Sequence, residues 1–201
     1  MDALANQIFE KLKQMDREAK PLPTGEATGL RGYYAWKHGA YGGRRTAWEN
    51  SITQRLAELL EDENCSCCIQ QRYGGGRETC DMVVTSDQGQ MWIEAKCGWK
   101  TTIGNDPSGA TDPSNSAFKK HHYTTAADAA KLTRLRPPEA THVGLLLVGF
   151  STQTKPITDD DIEVVREATA GWQEASTHWN DHAWPGRCVW VWFWWKPLDR
   201  N

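Results

Sequence analysis

The chain lacks the features that define several large classes of protein. It has no apolar run that approaches the length of a membrane-spanning helix, so we expect no membrane partner. Its formal net charge of -3 removes the simplest electrostatic case for nucleic-acid binding, although a local basic groove remains compatible with it. The first residues show neither the basic nor the apolar region of a secretory signal, and we therefore expect a cytoplasmic location.

The six cysteines also lack the spacing that is typical of a structural zinc site. Three of them lie close together in the segment CSCC (65–68), but no C-x2-C pair is repeated at zinc-finger spacing. In a reducing compartment we expect free thiols. A zinc-stabilised interaction protein remains an alternative, which stoichiometric zinc in a metal assay would favour. There is no internal repeat, no low-complexity linker and no evident helix-turn-helix.

Apolar periodicity predicts an α/β protein of the element order α-α-β-β-β-α-β-α-β. The predicted helices are 2–19, 46–62, 117–135 and one that begins after Thr158 and extends toward Ser176. The predicted strands are 68–73, 79–85, 90–96, 141–150 and 189–197. The polar residues 98–117 between the third strand and the third helix are predicted to form a long loop.

A length of 201 residues fits a single globular unit. We expect residues 1–45, a helix followed by an aromatic and basic loop, to be appended to a core formed by residues 46–201. Four of the eleven tryptophans lie in the segment VWVWFWWKP (189–197). Such a nearly continuous apolar run is typical of a strand that is buried on both faces, and we expect these tryptophans to belong to the core.

The segment MWIEAKCGWK (91–100) places two opposite charges, Glu94 and Lys96, on an otherwise apolar strand. If residues 86–89 form the turn before it, the numbers of paired residues sum to 175, and Asp81 stands opposite Glu94. Their Cβ atoms are then about 4.5–5.5 Å apart. Lys96 lies on the same face, because side chains alternate along a strand. The hairpin thus predicts two carboxylates and an ammonium in one cluster.

Two carboxylates at this distance repel each other, so some positive charge has to offset them. One explanation is a solvated salt-bridge cluster with Lys96 on a sheet face. The other is a divalent cation, and Mg²⁺ prefers such oxygen ligands and retains its other waters. The carbonyl of Ala95 could add a ligand. Glu49 could add a carboxylate, although with Thr46 it also fits a capping box at a helix start.

At these residues the sequence resembles the PD-(D/E)xK nuclease superfamily. Asp81 and, after an intervening turn, Glu94-Ala95-Lys96 match the motif, and the order α-β-β-β-α-β agrees over roughly residues 46–150. The family pattern has a proline before the aspartate, where this chain has Cys80. The resemblance implies a restriction-endonuclease-like core, with a mixed central sheet flanked by helices, followed here by a C-terminal helix and strand.

The resemblance further implies Mg²⁺-dependent hydrolysis of phosphodiester bonds in DNA, with Mn²⁺ able to replace Mg²⁺. It assigns catalysis to Glu49, Asp81, Glu94 and Lys96. The metal would be held by Asp81, Glu94, Glu49 and the backbone carbonyl of Ala95. Lys96 would orient the attacking water and stabilise negative charge at the phosphorus.

Binding of the DNA backbone requires local positive charge. Lys119 and Tyr123 match the spacing of a Gln-xxx-Tyr motif found in exonuclease-related members, but without the glutamine. The alternative is an exposed basic first turn of a helix. Tyr73 and Trp99 would either stack on bases or pack. The candidate DNA contacts are Arg44, Arg45, Arg77, Lys100, Lys119 and Tyr123.

The expected function is therefore a DNA endonuclease of the restriction or phage-defence type. Cleavage of both strands of a duplex needs two sites, so we expect a homodimer or a partner protein subunit. One alternative is a nuclease subunit of a larger defence, repair or transposition complex. Another is a catalytically silent nucleic-acid-binding module of the same fold.

Overall fold

The computed structural model describes residues 2–18, 49–61, 63–74, 76–100, 125–135, 137–182 and 186–198. Within these ranges the chain forms four helices: α1 (Asp2–Arg17), α2 (Glu49–Glu61), α3 (Thr125–Leu135) and α4 (Asp159–Ala168). The strands are β1 (Ser66–Arg72), β2 (Thr79–Ser86), β3 (Gly89–Trp99), β4 (His142–Thr152), β5 (Gln173–Asn180) and β6 (Arg187–Pro197). None of these four helices is both long and apolar enough to cross a membrane.

The strands form one mixed sheet of six strands in the order β1-β2-β3-β4-β6-β5. The first three strands are an antiparallel meander, β4 is parallel to β3, and β6 and β5 continue antiparallel. Two parallel neighbours need a crossover connection, and α3 lies in the segment that connects β3 to β4. The predicted mixed α/β class with a central mixed sheet is confirmed.

Helices cover both faces of the sheet. On one face, apolar residues of α1 and α2 such as Ile8 and Leu56 lie in one buried cluster with Met82 and Ile93. On the other face, Leu132 of α3 and residues of α4 lie in a second cluster with alternate residues of the same strands. Glu94 and Lys96 belong to the face covered by α3, since they are out of phase with Ile93.

The tryptophan-rich strand β6 is buried on both faces along residues 191–195, as the sequence predicts, whereas Trp190 is only partly buried. Phe193 and Trp195 enter the cluster beneath α1 and α2, while Trp192 and Trp194 enter the cluster beneath α3 and α4. All four side chains are 5% exposed or less. Helices on both sides leave no solvated face at these four residues, which explains the loss of apolar and polar alternation there.

Two sequence predictions about element bounds are wrong. The helix after Thr158 does not extend toward Ser176, because it ends at Ala168 and Gly171 then adopts a left-handed φ of +80°. Residues Gln173–Asn180 instead form β5, in which side-chain exposure alternates, so the predicted element order lacks one strand. The strand β3 also continues through Trp99, where a loop was predicted from residue 98. The remainder of that loop, at 101–117, lies outside the described residues.

The other bounds agree with the sequence wherever the structure describes them. The starts of two predicted helices, residues 46–48 and 117–124, lie outside the described residues. Strands β1, β2, β4 and β6 all cover their predicted segments to within a few residues. All six cysteines are free thiols.

Helix α4 begins after Thr158, as predicted. Thr158 is its N-cap, and three aspartates lie in its first turn. Oδ2 of Asp161 accepts hydrogen bonds from the Thr158 backbone N–H at 2.7 Å and from Lys100 Nζ at 2.6 Å. Burial acts to raise the pKa of Asp161, but the hydrogen bonds from Lys100 and Thr158 outweigh it and lower the pKa below its ordinary value. The cap therefore also ties α4 to the end of β3.

We expect Asp161→Asn to lower the free energy of unfolding at pH 7 by about 1 kcal/mol, because the cap and its lysine partner lose a charged acceptor. The folded-state pKa lies below the unfolded-state value of about 3.9, so the ionised group stabilises the fold above that pH. The contribution is lost as the pH falls through the folded-state pKa. Urea denaturation at pH 7 and at about pH 3 should therefore show the difference from wild type shrinking in acid.

The matched control is Asp160→Asn, which removes the same charge from an exposed side chain in the same turn. Any general effect of charge at the helix start is common to both variants. An equal loss of stability in the two variants would contradict the specific role of the Asp161 hydrogen bonds.

Candidate active site

The β2–β3 hairpin has the register that the sequence predicts. Its paired residues run from Ser86 and Gly89 to Met82 and Ile93, and their numbers sum to 175. Asp81 and Glu94, which the sequence predicts to be a directly opposed pair, follow directly after the last of these pairs but are not themselves among them. Oδ2 of Asp81 accepts a hydrogen bond of 2.9 Å from the backbone N–H of Ala95. The hairpin therefore brings the two predicted carboxylates to the same place.

The carboxylate of Asp81 is held on both oxygens. Its other oxygen, Oδ1, accepts a hydrogen bond of 3.2 Å from the side chain of Gln70 on β1. Gln70 has a left-handed φ of +52° between the pairs Ile69–Met82 and Gln71–Cys80, so β1 is locally distorted beside Asp81. A non-glycine residue in this conformation is uncommon, and here it coincides with a contact to the site.

Glu94 is buried, with only 2% of its surface exposed. Its Oε1 accepts a hydrogen bond of 2.6 Å from the hydroxyl of Tyr73 and lies 2.7 Å from the ammonium nitrogen of Lys131. Burial and, next, the negative charge of Asp81 raise the pKa of Glu94 to about 8, although Lys131 acts in the opposite direction. The positive charge of Lys131 therefore does not fully compensate the negative charge of the Glu94 carboxylate in this site.

Lys96 lies on the same side of the sheet and forms an ion pair with Asp128 of α3. Its Nζ is 3.2 Å from Asp128 Oδ2, and the two side chains are 20% and 14% exposed. Burial raises the pKa of Asp128, although Lys96 lowers it. Helix α3 thus places a carboxylate against Lys96 and an ammonium against Glu94, and both come from one helix face because Asp128 and Lys131 are three residues apart.

The alternative of a solvated salt-bridge cluster on an open sheet face does not describe Glu94 and Lys96. Glu94 is buried, and α3 covers it. The arrangement is an alternating cluster of charges between β3 and α3. The sequence pattern did not single out Gln70, Asp128 or Lys131 as residues of the site. The spacing of Asp128 and Lys131 in the otherwise small and apolar segment AADAAKL was the available signal.

No protein-family model, curated protein or solved structure matches the chain.

The acidic side chains of the site are oxygen donors of the kind that Mg²⁺ prefers. In the part of the chain that the structure describes, no three His, Cys, Asp or Glu side chains are grouped so that they could hold a metal ion. Asp81 and Glu94 supply two carboxylates, and Mg²⁺ is usually held by one or two carboxylates with water and substrate phosphate. The raised pKa of the buried Glu94 beside Asp81 is consistent with negative charge that a divalent cation would offset.

The two further predicted metal ligands are Glu49 and the backbone carbonyl of Ala95. Glu49 is the first residue of α2, and its side chain lies outside the described residues. Ala95 lies between Glu94 and Lys96 on β3, and its side chain is buried against the opposite face. Its backbone N–H is the group that holds Asp81.

The predicted DNA contacts are only partly covered by the structure. Arg77 is exposed in the turn before β2. Lys100 is ion-paired with Asp161 at 2.6 Å, which ties its ammonium to the start of α4. Tyr73 is buried and packs on Trp92 with ring centroids 5.0 Å apart, so it packs rather than stacks on bases. The candidates that lie outside the described residues are Arg44, Arg45, Lys119, Tyr123 and the side chain of Trp99.

Proposed function

We propose that the protein is a Mg²⁺-dependent nuclease of the PD-(D/E)xK superfamily that hydrolyses phosphodiester bonds in DNA. The observation that supports this most is the placement of Asp81 and Glu94 at one end of the β2–β3 hairpin, with Lys96 on the same face. The sheet supports it too, because an antiparallel meander followed by a parallel β4 agrees with a restriction-endonuclease-like core.

In this proposal Asp81 and Glu94 hold the metal, with Glu49 and the Ala95 carbonyl as further contributors. When bound, Mg²⁺ would polarise the phosphate and lower the pKa of a coordinated water. Lys96 orients the attacking water and stabilises the charge that develops on the phosphate oxygens. Asp128 keeps the Lys96 ammonium in place through their ion pair. Gln70 and the Ala95 N–H fix the direction of the Asp81 carboxylate.

We further propose the restriction or phage-defence type of endonuclease, acting as a homodimer or with a partner subunit. A nuclease subunit of a larger defence, repair or transposition complex would use the same site, with DNA specificity supplied by other subunits. Of the two described basic residues proposed to contact DNA, Arg77 is exposed before the start of β2 and Lys100 is ion-paired with Asp161, so Arg77 is the more accessible to phosphate.

A catalytically silent nucleic-acid-binding module is the second candidate. One observation favours it: Glu94 and Asp128 already have the ammonium groups of Lys131 and Lys96 as partners. Such ion pairs can satisfy a buried carboxylate without a metal. In a silent module the cluster would serve only to fix α3 on the sheet.

Cleavage assays on supercoiled plasmid, linear duplex and single-stranded DNA distinguish these candidates. We expect cutting with Mg²⁺ or Mn²⁺ and none with EDTA, because the two carboxylates need a divalent cation to act on a phosphodiester. The variant Asp81→Asn keeps one acceptor oxygen, which can retain one of the two hydrogen bonds from Ala95 and Gln70, but removes the charge, and it should be inactive. DNA binding without cleavage under every metal condition would favour the silent module and contradict the nuclease.

A further inference from the structure

Lys131 occupies a position that resembles a cation site. Its ammonium nitrogen is 2.7 Å from Oε1 of Glu94 and donates a hydrogen bond of 2.9 Å to the backbone carbonyl of Thr79. The same nitrogen lies 5.4 Å from the centre of the Tyr73 ring. A carboxylate, a carbonyl and an aromatic ring thus surround one positive charge that is supplied by the protein itself.

The oxygen that Lys131 contacts belongs to a carboxylate that the proposed function assigns to the metal. An ammonium at this distance supplies part of the positive charge that a divalent cation would supply. Two cations that bind the same carboxylate repel each other, and this repulsion is strong at a site that is shielded from water. Glu94 is 2% exposed, so the condition is met.

We propose that Lys131 is a built-in competitor of the divalent metal ion. It offsets part of the charge of Glu94 when no metal is bound, and metal binding requires it to leave Glu94. Lys131 is therefore a positioning residue that sets the metal concentration at which the site becomes loaded. This inference rests on the proposed function, because it assigns Glu94 to metal binding.

The test measures Mn²⁺ binding in the absence of DNA, by isothermal titration calorimetry at fixed pH and ionic strength. The variant Lys131→Gln removes the charge but retains a hydrogen-bond donor, and should lower the Kd for Mn²⁺ roughly tenfold, within the usual range of coupling between two sites. Lys131→Arg retains the charge and should bind Mn²⁺ like the wild type. Lys11→Gln removes a lysine that is ion-paired with Glu63 on the other side of the sheet, and should change nothing.

An unchanged or higher Kd in Lys131→Gln would overturn the inference. If the wild type at the same time cleaves DNA with Mg²⁺, the proposed function stands and only the competitor role fails. If neither wild type nor variant binds Mn²⁺ and no DNA is cut, the proposed function fails as well. These two failures are therefore distinguishable.

A second measurement uses the wild-type protein, in case Lys131→Gln does not fold. Lysine acetylation is followed by mass spectrometry with and without Mg²⁺. Displacement from Glu94 should increase the acetylation rate of Lys131 severalfold, while the rate at Lys11 stays constant. Equal acetylation of Lys131 in the two conditions would overturn the inference.

Discussion

Replacing Lys96 with methionine should lower the rate of DNA cleavage by about 10²–10³-fold, the usual loss when one group that stabilises transition-state charge is removed. Methionine keeps the length and the apolar stem of the side chain, so the buried part of the contact with α3 is retained. The rate constant for the chemical step should fall more than the affinity for DNA. Single-turnover cleavage together with DNA binding in the presence of Ca²⁺ would separate the two effects.

The control for this prediction is Lys11→Met in α1. Lys11 is 16% exposed and ion-paired with Glu63, so it resembles Lys96, which is 20% exposed and paired with Asp128. It lies on the opposite side of the sheet, and its loss should leave cleavage unchanged. If Lys96→Met cleaved DNA at the wild-type rate, Lys96 would have only a structural role, and the proposed mechanism would be wrong.

Replacing Trp194 with alanine should lower the free energy of unfolding by about 3–5 kcal/mol, the range for loss of a large buried aromatic side chain. Trp194 is 1% exposed on β6, and its indole N–H donates to Glu174 at 2.9 Å. The substitution removes a large buried apolar area and leaves a cavity beneath α3 and α4. Chemical denaturation followed by circular dichroism would measure the loss.

Trp190→Ala is the matched control on the same strand. Trp190 is only partly buried, and its indole N–H donates to Ser151 at 2.8 Å, so both variants lose one indole hydrogen bond. It stacks on His178 with ring centroids 4.6 Å apart, and we expect a smaller loss of about 1–2 kcal/mol. Equal losses in the two variants would show that burial at Trp194 does not dominate the energetics.

The hairpin shows how far local sequence information reaches. A two-residue turn at Asp87 and Gln88 fixes the register of both strands, and alternation then decides which side chains share a face. These are short-range constraints, so the meeting of Asp81 with Glu94 was predictable. The double burial of β6 was predictable for a similar reason, since its apolar run has no polar alternation.

Local sequence patterns did not predict contacts between segments that are far apart in the chain. The segment Gln173–Asn180 is polar, and its sequence is compatible with the end of a helix. It forms a strand because it pairs with the edge of β6 that β4 does not occupy. A strand partner that lies farther along the chain leaves only a weak local signal, the alternation of exposed and less exposed residues.

By itself, therefore, the sequence determined the meander, its register and, through them, the positions on β2 and β3 of Asp81, Glu94 and Lys96, the residues of the predicted cluster. Only the tertiary structure decided the environment of that cluster. It placed Asp128 and Lys131 of α3 against Lys96 and Glu94, and it buried Glu94 enough to raise its pKa. The physical reason is that register follows from the geometry of neighbouring residues, whereas burial and ion pairing depend on how a distant helix packs on the sheet.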